Sequence, residues 1–380
     1  MRDINIVIAV DSFKGSASSK EVNSYIKSGI LNVYPSDDNI KTMAIADGGE
    51  GTVEAVIEGV QGKYETIQVT GPLGDIVNAK YGIIENNIVI IEMAEAAGIN
   101  LVEKNKLNPF RATTYGVGQM LKSILDKGIR KIYIGLGGSA TNDGGAGMLA
   151  ALGAKFLSDD GKEIGYRPFE ISNISKIDLS SFDNRILETE IIVLSDVSNT
   201  LCGKNGASHI FGPQKGAKPK DVLLLDSILE KYGKVIDQVT GENFSKKPGS
   251  GAAGGLGYAL LSVCRAQFTQ GIYKVIELIK LEEKIKKADL VITGEGRIDN
   301  QSIFGKAPIG IAKIAKKYGI PVIAIVGSSD RDLKEVYNNG VDLVLDIINE
   351  PMPLEKAIRD VKPLLEIAGE KALRAFFIGK

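Results

Sequence analysis

The 380-residue chain contains one histidine, two cysteines and no lysine- or arginine-dense stripe, and each shortage removes a class of function. With His209 alone, a multi-histidine zinc site cannot form, and a Ser–His–Asp triad would hang on one residue between Ser208 and Ile210. His209 therefore reads as an ordinary structural residue. Cys202 and Cys264 cannot make a disulfide framework, which fits a reducing cytosol and predicts a cytoplasmic protein. A formal net charge of −1 offers no electrostatic footprint for nucleic acid and no polybasic patch for a membrane surface. The apolar core of MRDINIVIAVD (1–11) is too short for a signal peptide. The longest uncharged stretch, residues 248–264, is broken by glycines and a proline and does not read as a membrane span. Chemistry must then come from carboxylates, lysines, arginines and backbone amides.

Glycine is what the chain has in excess: 44 residues, against roughly 27 at the usual usage of about 7%. The densest stretch is GLGGSATNDGGAG (135–147), which follows a strand-like apolar run at 131–134 and opens onto a helix-forming run at 148–152. Bare amides at a helix N-terminus, aided by the helix dipole, make an anion site, and glycine lets a phosphate approach them without a Cβ in the way. The stretch predicts a phosphate site made of Gly137, Gly138, Ser139, Asn142, Asp143 and Gly144. The pattern D-G-G-x-G occurs twice, at 47–51 and 143–147, each time between a strand and a helix. Asp47 and Asp143 are both placed to act as N-caps. Trailing glycines weaken a helix, so capping alone does not account for them, and a ligand-facing site does.

The periodicity predicts an α/β protein. Residues 4–10 and 41–46 read as buried strands, and Ser18-Ser-Lys-Glu21 as a capping box opening a helix through residue 30. A helix at 52–59 follows, then an alternating meander over 64–93 with turns at 71–74 and 85–87. The middle holds a helix at 114–127, a hairpin turn at 159–161 and a strand at 191–194. From about residue 285 a plain βα alternation returns, with strands at 289–293, 322–326 and 342–346. Two N-terminal βα units are too few for a sheet, so both chain ends are expected to build one doubly wound parallel-sheet domain, 1–66 with 281–380. Residues 67–280 are expected to form an inserted second α/β domain carrying the glycine-rich loop.

Acids stand at or just beyond the expected strand ends: Asp11, Asp47, Asp196 and Glu295. Ligands of open α/β sheets bind outside those ends, and acids gathered on one rim repel each other unless cations lie among them. Magnesium arriving with a nucleotide is the natural cation, with Glu295 and Asp196 as its candidate ligands. Asp196, with Asp47 as its competitor, is the candidate base for a substrate hydroxyl. Lys14, Lys215 and Lys306 sit in glycine-containing loops where a lysine can offset phosphate charge, Lys14 being placed with the catalytic group and Lys306 with the phosphates. Asp11 and Ser12 are candidate substrate contacts, and Arg297 or Lys14 is suited to a carboxylate. No G-x-x-x-x-G-K-[ST] occurs. The G-x-G-x-x-G at 249–254 follows Lys-Lys-Pro and not a strand, whereas G-x-G-x-x-A at 135–140 does follow one, which keeps an NAD-dependent dehydrogenase as a rival.

Taken in order, DSFKGS (11–16), ADGGEGT (46–52), ATTYGVG (112–118), GLGGSATNDGGAGML (135–149), SDVSN (195–199), FGPQKGA (211–217), GSGAAGGLG (249–257) and VITGEGRID (291–299) with GKAP (305–308) resemble the bacterial-type glycerate kinases. The blocks span nearly the whole chain. Only Ala17 and Ser198 stand where other residues are expected. The resemblance implies ATP- and magnesium-dependent phosphorylation of glycerate to phosphoglycerate, with transfer to the 2-hydroxyl favoured over the 3-hydroxyl. It also implies a two-domain architecture with a flavodoxin- or Rossmann-like part and the active site in the cleft. Phosphoryl transfer needs positioned amides, cations and a base, and no histidine. Another small hydroxy acid or polyol as acceptor stays open, as does the oligomeric state, a homodimer included.

Overall fold

The structure, a computed structural model, describes residues 3–85, 87–300 and 305–378. Asn86, in the expected turn at 85–87, and residues 301–304, in the loop that leads to Lys306, lie outside the described residues. In chain order the strands are β1 (Ile6–Val10), β2 (Ile40–Thr42), β3 (Lys63–Thr70), β4 (Ile76–Ile84), β5 (Ile88–Glu92), β6 (Lys131–Gly135), β7 (Lys155–Leu157), β8 (Glu163–Ile164), β9 (Lys176–Asp178), β10 (Glu190–Leu194), β11 (Gln267–Thr269), β12 (Leu290–Ile298), β13 (Val322–Ser329) and β14 (Leu343–Asp346). The chain divides into two compact units. One holds the described residues of Met1–Asp47, Glu54–Gln61 and Gln270–Lys380, the other those of Gly48–Val53 and Gly62–Thr269.

In the first unit all five strands run parallel in the order β14-β13-β12-β1-β2. Every side chain of β1 (IVIAV) is buried, as a central parallel strand requires. Ile6, Ile8 and Val10 join a core with Val22, Ile26 and Leu365 of the helices Ser19–Leu31 and Val361–Ile378. The helix Ala307–Lys317 packs against β1, β12 and β13. Numbered within this sheet, the order is 2-1-3-4-5, and the winding reverses between β1 and β12. That junction is the topological switch point, outside whose carboxyl ends ligands bind in such sheets.

The helix Ser19–Leu31 starts as its sequence dictates: the Ser18 amide donates to Glu21 Oε2 at 2.9 Å, and the Glu21 amide donates to Ser18 Oγ at 3.3 Å. The strand expected at 41–46 is shorter, ending at Thr42. Beyond it two buried side chains of the neighbouring helix replace the ladder. Asn23 Oδ1 accepts from the Val10 amide at 2.9 Å while its Nδ2 donates to Met43 O at 3.0 Å. Ser19 Oγ donates to Val10 O at 2.6 Å and accepts from the Ile45 amide at 2.9 Å. Met43–Ile45 is apolar and buried at both ends; the Met43 amide still donates to Ile8 O of β1 at 2.9 Å, and from the Met43 carbonyl onward side chains take over from the strand.

The second unit is built on a mixed sheet in the order β11-β10-β6-β5-β4-β3. The meander β3–β4–β5 is antiparallel, and β5, β6, β10 and β11 are parallel. A small antiparallel sheet, β8-β7-β9, lies beside it, with Asp159-Asp160-Gly161 in the hairpin turn between β7 and β8. The register lines up Glu92, Gly135, Leu194 and Thr269 across the carboxyl edge of the parallel strands. A large apolar core, including Ile91, Ile134 and Val193 from the strands and Met120, Leu149, Tyr232 and Leu256 from the helices, fills the unit. Among the described residues no helix is long and apolar enough to cross a membrane.

Candidate active site

In the first unit, the loop after β1 carries Asp11, Ser12 and Lys14 past the switch point. The Asp11 amide donates to Gly294 O of β12 at 2.9 Å, and Phe13 and Ala17 bridge to close the loop. The Asp11 carboxyl accepts from the Ser12 amide at 2.6 Å. Burial, followed by the negative charge of Asp47 and more weakly of Glu295, pushes the Asp11 carboxyl up to about 7 against the pull of Ser12 and Lys14. Two of the predicted acids, Asp47 and Glu295, therefore lie near enough for the Asp11 carboxyl to feel their charge. Glu295 lies on β12, one residue beyond Gly294, and Lys306 Nζ reaches its Oε2 at 2.9 Å. Lys306 is the residue before the helix Ala307–Lys317, and its Nζ also donates to Arg297 O at 3.4 Å. Arg297 itself pairs with Asp330 at 2.9 Å on an exposed surface. Lys14 is exposed.

In the second unit, the glycine loop differs from a bare helix N-terminus. The helix that follows is only Ala146–Ala151, and Gly145 is its N-cap. Asp143, expected as that cap, is fully buried, and its carboxylate gathers four donors. These are the Thr114 amide at 2.7 Å, Thr114 Oγ1 at 2.8 Å, the Gly145 amide at 3.1 Å and the Gly147 amide at 3.2 Å. The first-turn amides that a phosphate would need are thus already occupied from within the loop. Burial raises the Asp143 carboxyl, while these hydrogen bonds oppose the shift.

Residues 139–149 are buried, so Gly138, exposed, and Gly137, half-buried, are the parts of the loop that reach its surface. Lys215 lies inside, 1% exposed, donating from Nζ to Ser139 Oγ at 2.7 Å and to Thr141 O at 2.6 Å. Burial brings this lysine down to about 7, with the Asp143 carboxylate opposing. Asn142 Nδ2 donates to Ser208 Oγ at 3.0 Å.

The glycines have a further cause. A Cβ on Gly135 would stand 2.7 Å from Gly48 O, and one on Gly48 would stand 2.7 Å from Leu194 O. The segment 48–51 therefore lies backbone to backbone on the loop after β6. On its other side the loop meets GSGAAGGLG (249–257): the Gly144 amide donates to Gly254 O at 3.0 Å. Three glycine-rich segments that the sequence presents separately share one packing in this unit.

Glu92, absent from the sequence expectations, ends β5 beside Gly135. It is 7% exposed and accepts from the Val53 amide at 2.8 Å. Burial, then the charges of Glu95 and Glu50, push its carboxyl up to about 7, while the Val53 and Gly51 amides pull it down. Its signal was available: an acid closing the apolar run IVIIE (88–92) has the signature that singled out Asp11 and Asp47. Asp196 lies two residues beyond β10 and is exposed. His209, in the short helix Ala207–Phe211, stands 3.8 Å from Asp226. Among the described residues no three carboxylate, cysteine or histidine groups gather into a full ligand set for a metal ion.

The chain matches the model of the glycerate kinase family over residues 6–377. It is 46% identical, over 94% of its length and 93% of the relative's, to the glycerate 2-kinase of Escherichia coli K12. Against the glycerate kinase of Halalkalibacterium halodurans the identity is 43%, covering 96% of both chains. Among solved structures, a Salmonella typhimurium LT2 protein described as glycerate kinase 2 superposes with a TM-score of 0.84 at 42% identity, covering 100% of this chain and 99% of that one.

Proposed function

The chain belongs to the glycerate kinase family, and on that premise we propose that it transfers the terminal phosphoryl group of ATP to a hydroxyl of glycerate, the 2-hydroxyl in preference to the 3-hydroxyl. The observation that carries this is the full-length family match, from β1 to the last helix. The dehydrogenase alternative falls with it, and the geometry agrees: after G-x-G-x-x-A the helix opens only at Ala146, where a dinucleotide fold opens it at once.

Each group has a part in this reading. Gly137, Gly138 and Ser139 receive phosphate oxygens where the glycine loop surfaces, while Asn142, Asp143 and Gly144 hold the loop from behind. Lys306, oriented by Glu295, offsets phosphate charge. Asp11, Ser12 and Lys14 contact glycerate. Arg297 serves its carboxylate only if the Asp330 pair opens. Asp196, or Asp47 in its place, accepts the hydroxyl proton, a general-base contribution of about 10²–10⁴ in rate.

A magnesium ion suits the acids at the switch point: burial first, and then the negative charge of Asp47 and Glu295, push the Asp11 carboxyl up to about 7, so a cation there would offset charge that the acids share. Glu295 is the ligand we assign in this unit, and Asp196, which belongs to the second unit, is the other candidate. As the described residues hold no cluster of three such ligands, phosphate oxygens and water complete the shell, as is usual for this ion. Magnesium bound with the nucleotide neutralises charge on the phosphates.

The test is an ADP-release assay over a panel of hydroxy acids and polyols, with product position read by phosphorus NMR. ADP formation with glycerate and a 2-phosphoglycerate signal are expected. Turnover with another acceptor and none with D- or L-glycerate would overturn the substrate assignment.

A further inference from the structure

A serine hydroxyl has one proton to donate, and a lysine ammonium can only donate. Lys215 Nζ stands 2.7 Å from Ser139 Oγ and occupies an acceptor position of that oxygen. The hydroxyl proton of Ser139 must then point away from Lys215. Ser139 is itself buried and directly follows Gly138, the exposed point of the loop. The second bond of Lys215, to Thr141 O, fixes the ammonium at two points and keeps it from swinging off the serine.

The lysine is held there by charge as well as by hydrogen bonds. Asp143 is the charged group that faces it, and that carboxylate is in turn locked by Thr114, Gly145 and Gly147. A buried cation and a buried anion thus hold residues 139–147 between them. The lysine is not needed to fill space, because a methionine would replace its stem at similar volume; its removal would instead leave the buried Asp143 charge without its cation, which costs stability. A hydrogen bond strengthened by a charged neighbour is what an anion at Gly138 would use.

We propose that Lys215 is a positioning residue that polarises Ser139 and directs its hydroxyl proton to a phosphate oxygen of the bound nucleotide. The inference rests on the kinase reading for the identity of the anion, and on the Lys215–Ser139 geometry for everything else. Ser139 touches the ligand, and Lys215 acts through it.

The experiment uses the full chain as wild type, Ser139→Ala, Lys215→Met and the double variant. Magnesium-ADP affinity is measured by calorimetry, and the KM for ATP, the KM for glycerate, kcat and Tm are measured alongside. Each single substitution is expected to weaken ADP binding and raise the KM for ATP by roughly 10-fold or more, the scale of a hydrogen bond to a charged group. The KM for glycerate should hardly move in either variant, and the Tm should hardly move in Ser139→Ala, whereas Lys215→Met should lower the Tm because it leaves Asp143 unpaired. The double variant should be no worse than Ser139→Ala, because both changes remove one relay. In wild type, kcat/KM for ATP should also fall above about pH 7 as Lys215 loses its proton, and Lys215→Met should lack that limb. Unchanged ADP affinity in Ser139→Ala overturns the proposal, as do additive effects in the double variant. Ser139→Ala decides alone if Lys215→Met fails to fold. Wild-type protein that binds ADP but phosphorylates no glycerate would remove the kinase reading while leaving this inference to the affinities.

Discussion

Gly137 faces Gly49 so closely that a Cβ on Gly137 would stand 2.6 Å from the Gly49 Cα, whereas one on the adjacent Gly138 would come no nearer than 3.4 Å to Ala94 Cβ. Two neighbouring glycines of one loop therefore serve different ends. Gly137→Ala is expected to wedge the 48–51 segment off the loop and cost about 1–3 kcal/mol, the range for overpacking. Gly138→Ala meets only an ordinary van der Waals contact but keeps a φ of +70°, so its stability cost is backbone strain of about 1–2 kcal/mol. Its larger effect should be on nucleotide binding. Melting curves and the KM for ATP separate the two, and a Gly138→Ala protein with normal ATP kinetics would take Gly138 out of the phosphate site.

Asp196 and Asp47 are distinguished by substitution. Asp196 is exposed, so Asp196→Asn should leave the Tm unchanged while lowering kcat by about 10²–10⁴ if it is the base. Asp47→Asn should also reduce the charge that pushes up Asp11 and move the acidic limb of the pH–rate profile downward. Full turnover in either variant removes that residue from catalysis.

Glu92 gives a pH signature in stability. Its carboxyl is raised from 4.5 to about 7 in the folded chain, so between those values the folded state binds more protons than the unfolded one. Stability contributed by the protonated form is present below about pH 4.5 and is lost as pH rises through 7. Glu92→Gln keeps an acceptor for the Val53 amide and cannot ionise. It should melt above wild type at pH 8, with the advantage shrinking toward pH 5. Thermal scans of both proteins across that range check the sign, and a constant difference would assign the effect to packing.

Deleting residues 285–380 removes β12, β13 and β14 and leaves β1 only β2, a three-residue partner. We expect the remaining 1–47 segment to unfold. Hydrogen exchange of the Ile6–Val10 amides in the truncated chain is the measure, and protection there would show that the N-terminal segment folds without the C-terminal strands.

Local signals in the sequence were dependable where short-range chemistry decides the outcome. Ser18 and Glu21 form their capping box, the all-apolar run at 6–10 is a central strand, and the antiparallel meander precedes the parallel strands. Legibility stopped where distant segments act on each other. Nothing within 41–46 reveals that Asn23 and Ser19 take over the Met43 carbonyl and the Ile45 amide where the strand pairing ends. Nothing within 135–147 reveals that Asp143 occupies the amides of Gly145 and Gly147, or that segments 48–51 and 249–257 press against the loop. A glycine cluster looks the same in sequence whether a phosphate or another backbone approaches it. The lysine in FGPQKGA was visible as a cation but not as a buried one, because its partners lie about 75 residues away at Ser139 and Thr141.

The pairing of Ile6 with Leu290 also governs how the chain is born. A ribosome releases β1 early, and the strand that closes its other edge appears 284 residues later; at about 5–20 residues per second that is a wait of roughly 15–60 s. Meanwhile residues 62–269 emerge as a continuous stretch that carries all six strands of the mixed sheet. During that interval five consecutive apolar residues with high strand propensity stand with an unpaired edge, the condition under which nascent chains associate with one another. The soluble yield of this protein therefore depends on how well the cell shelters its first strand until its last third has been made.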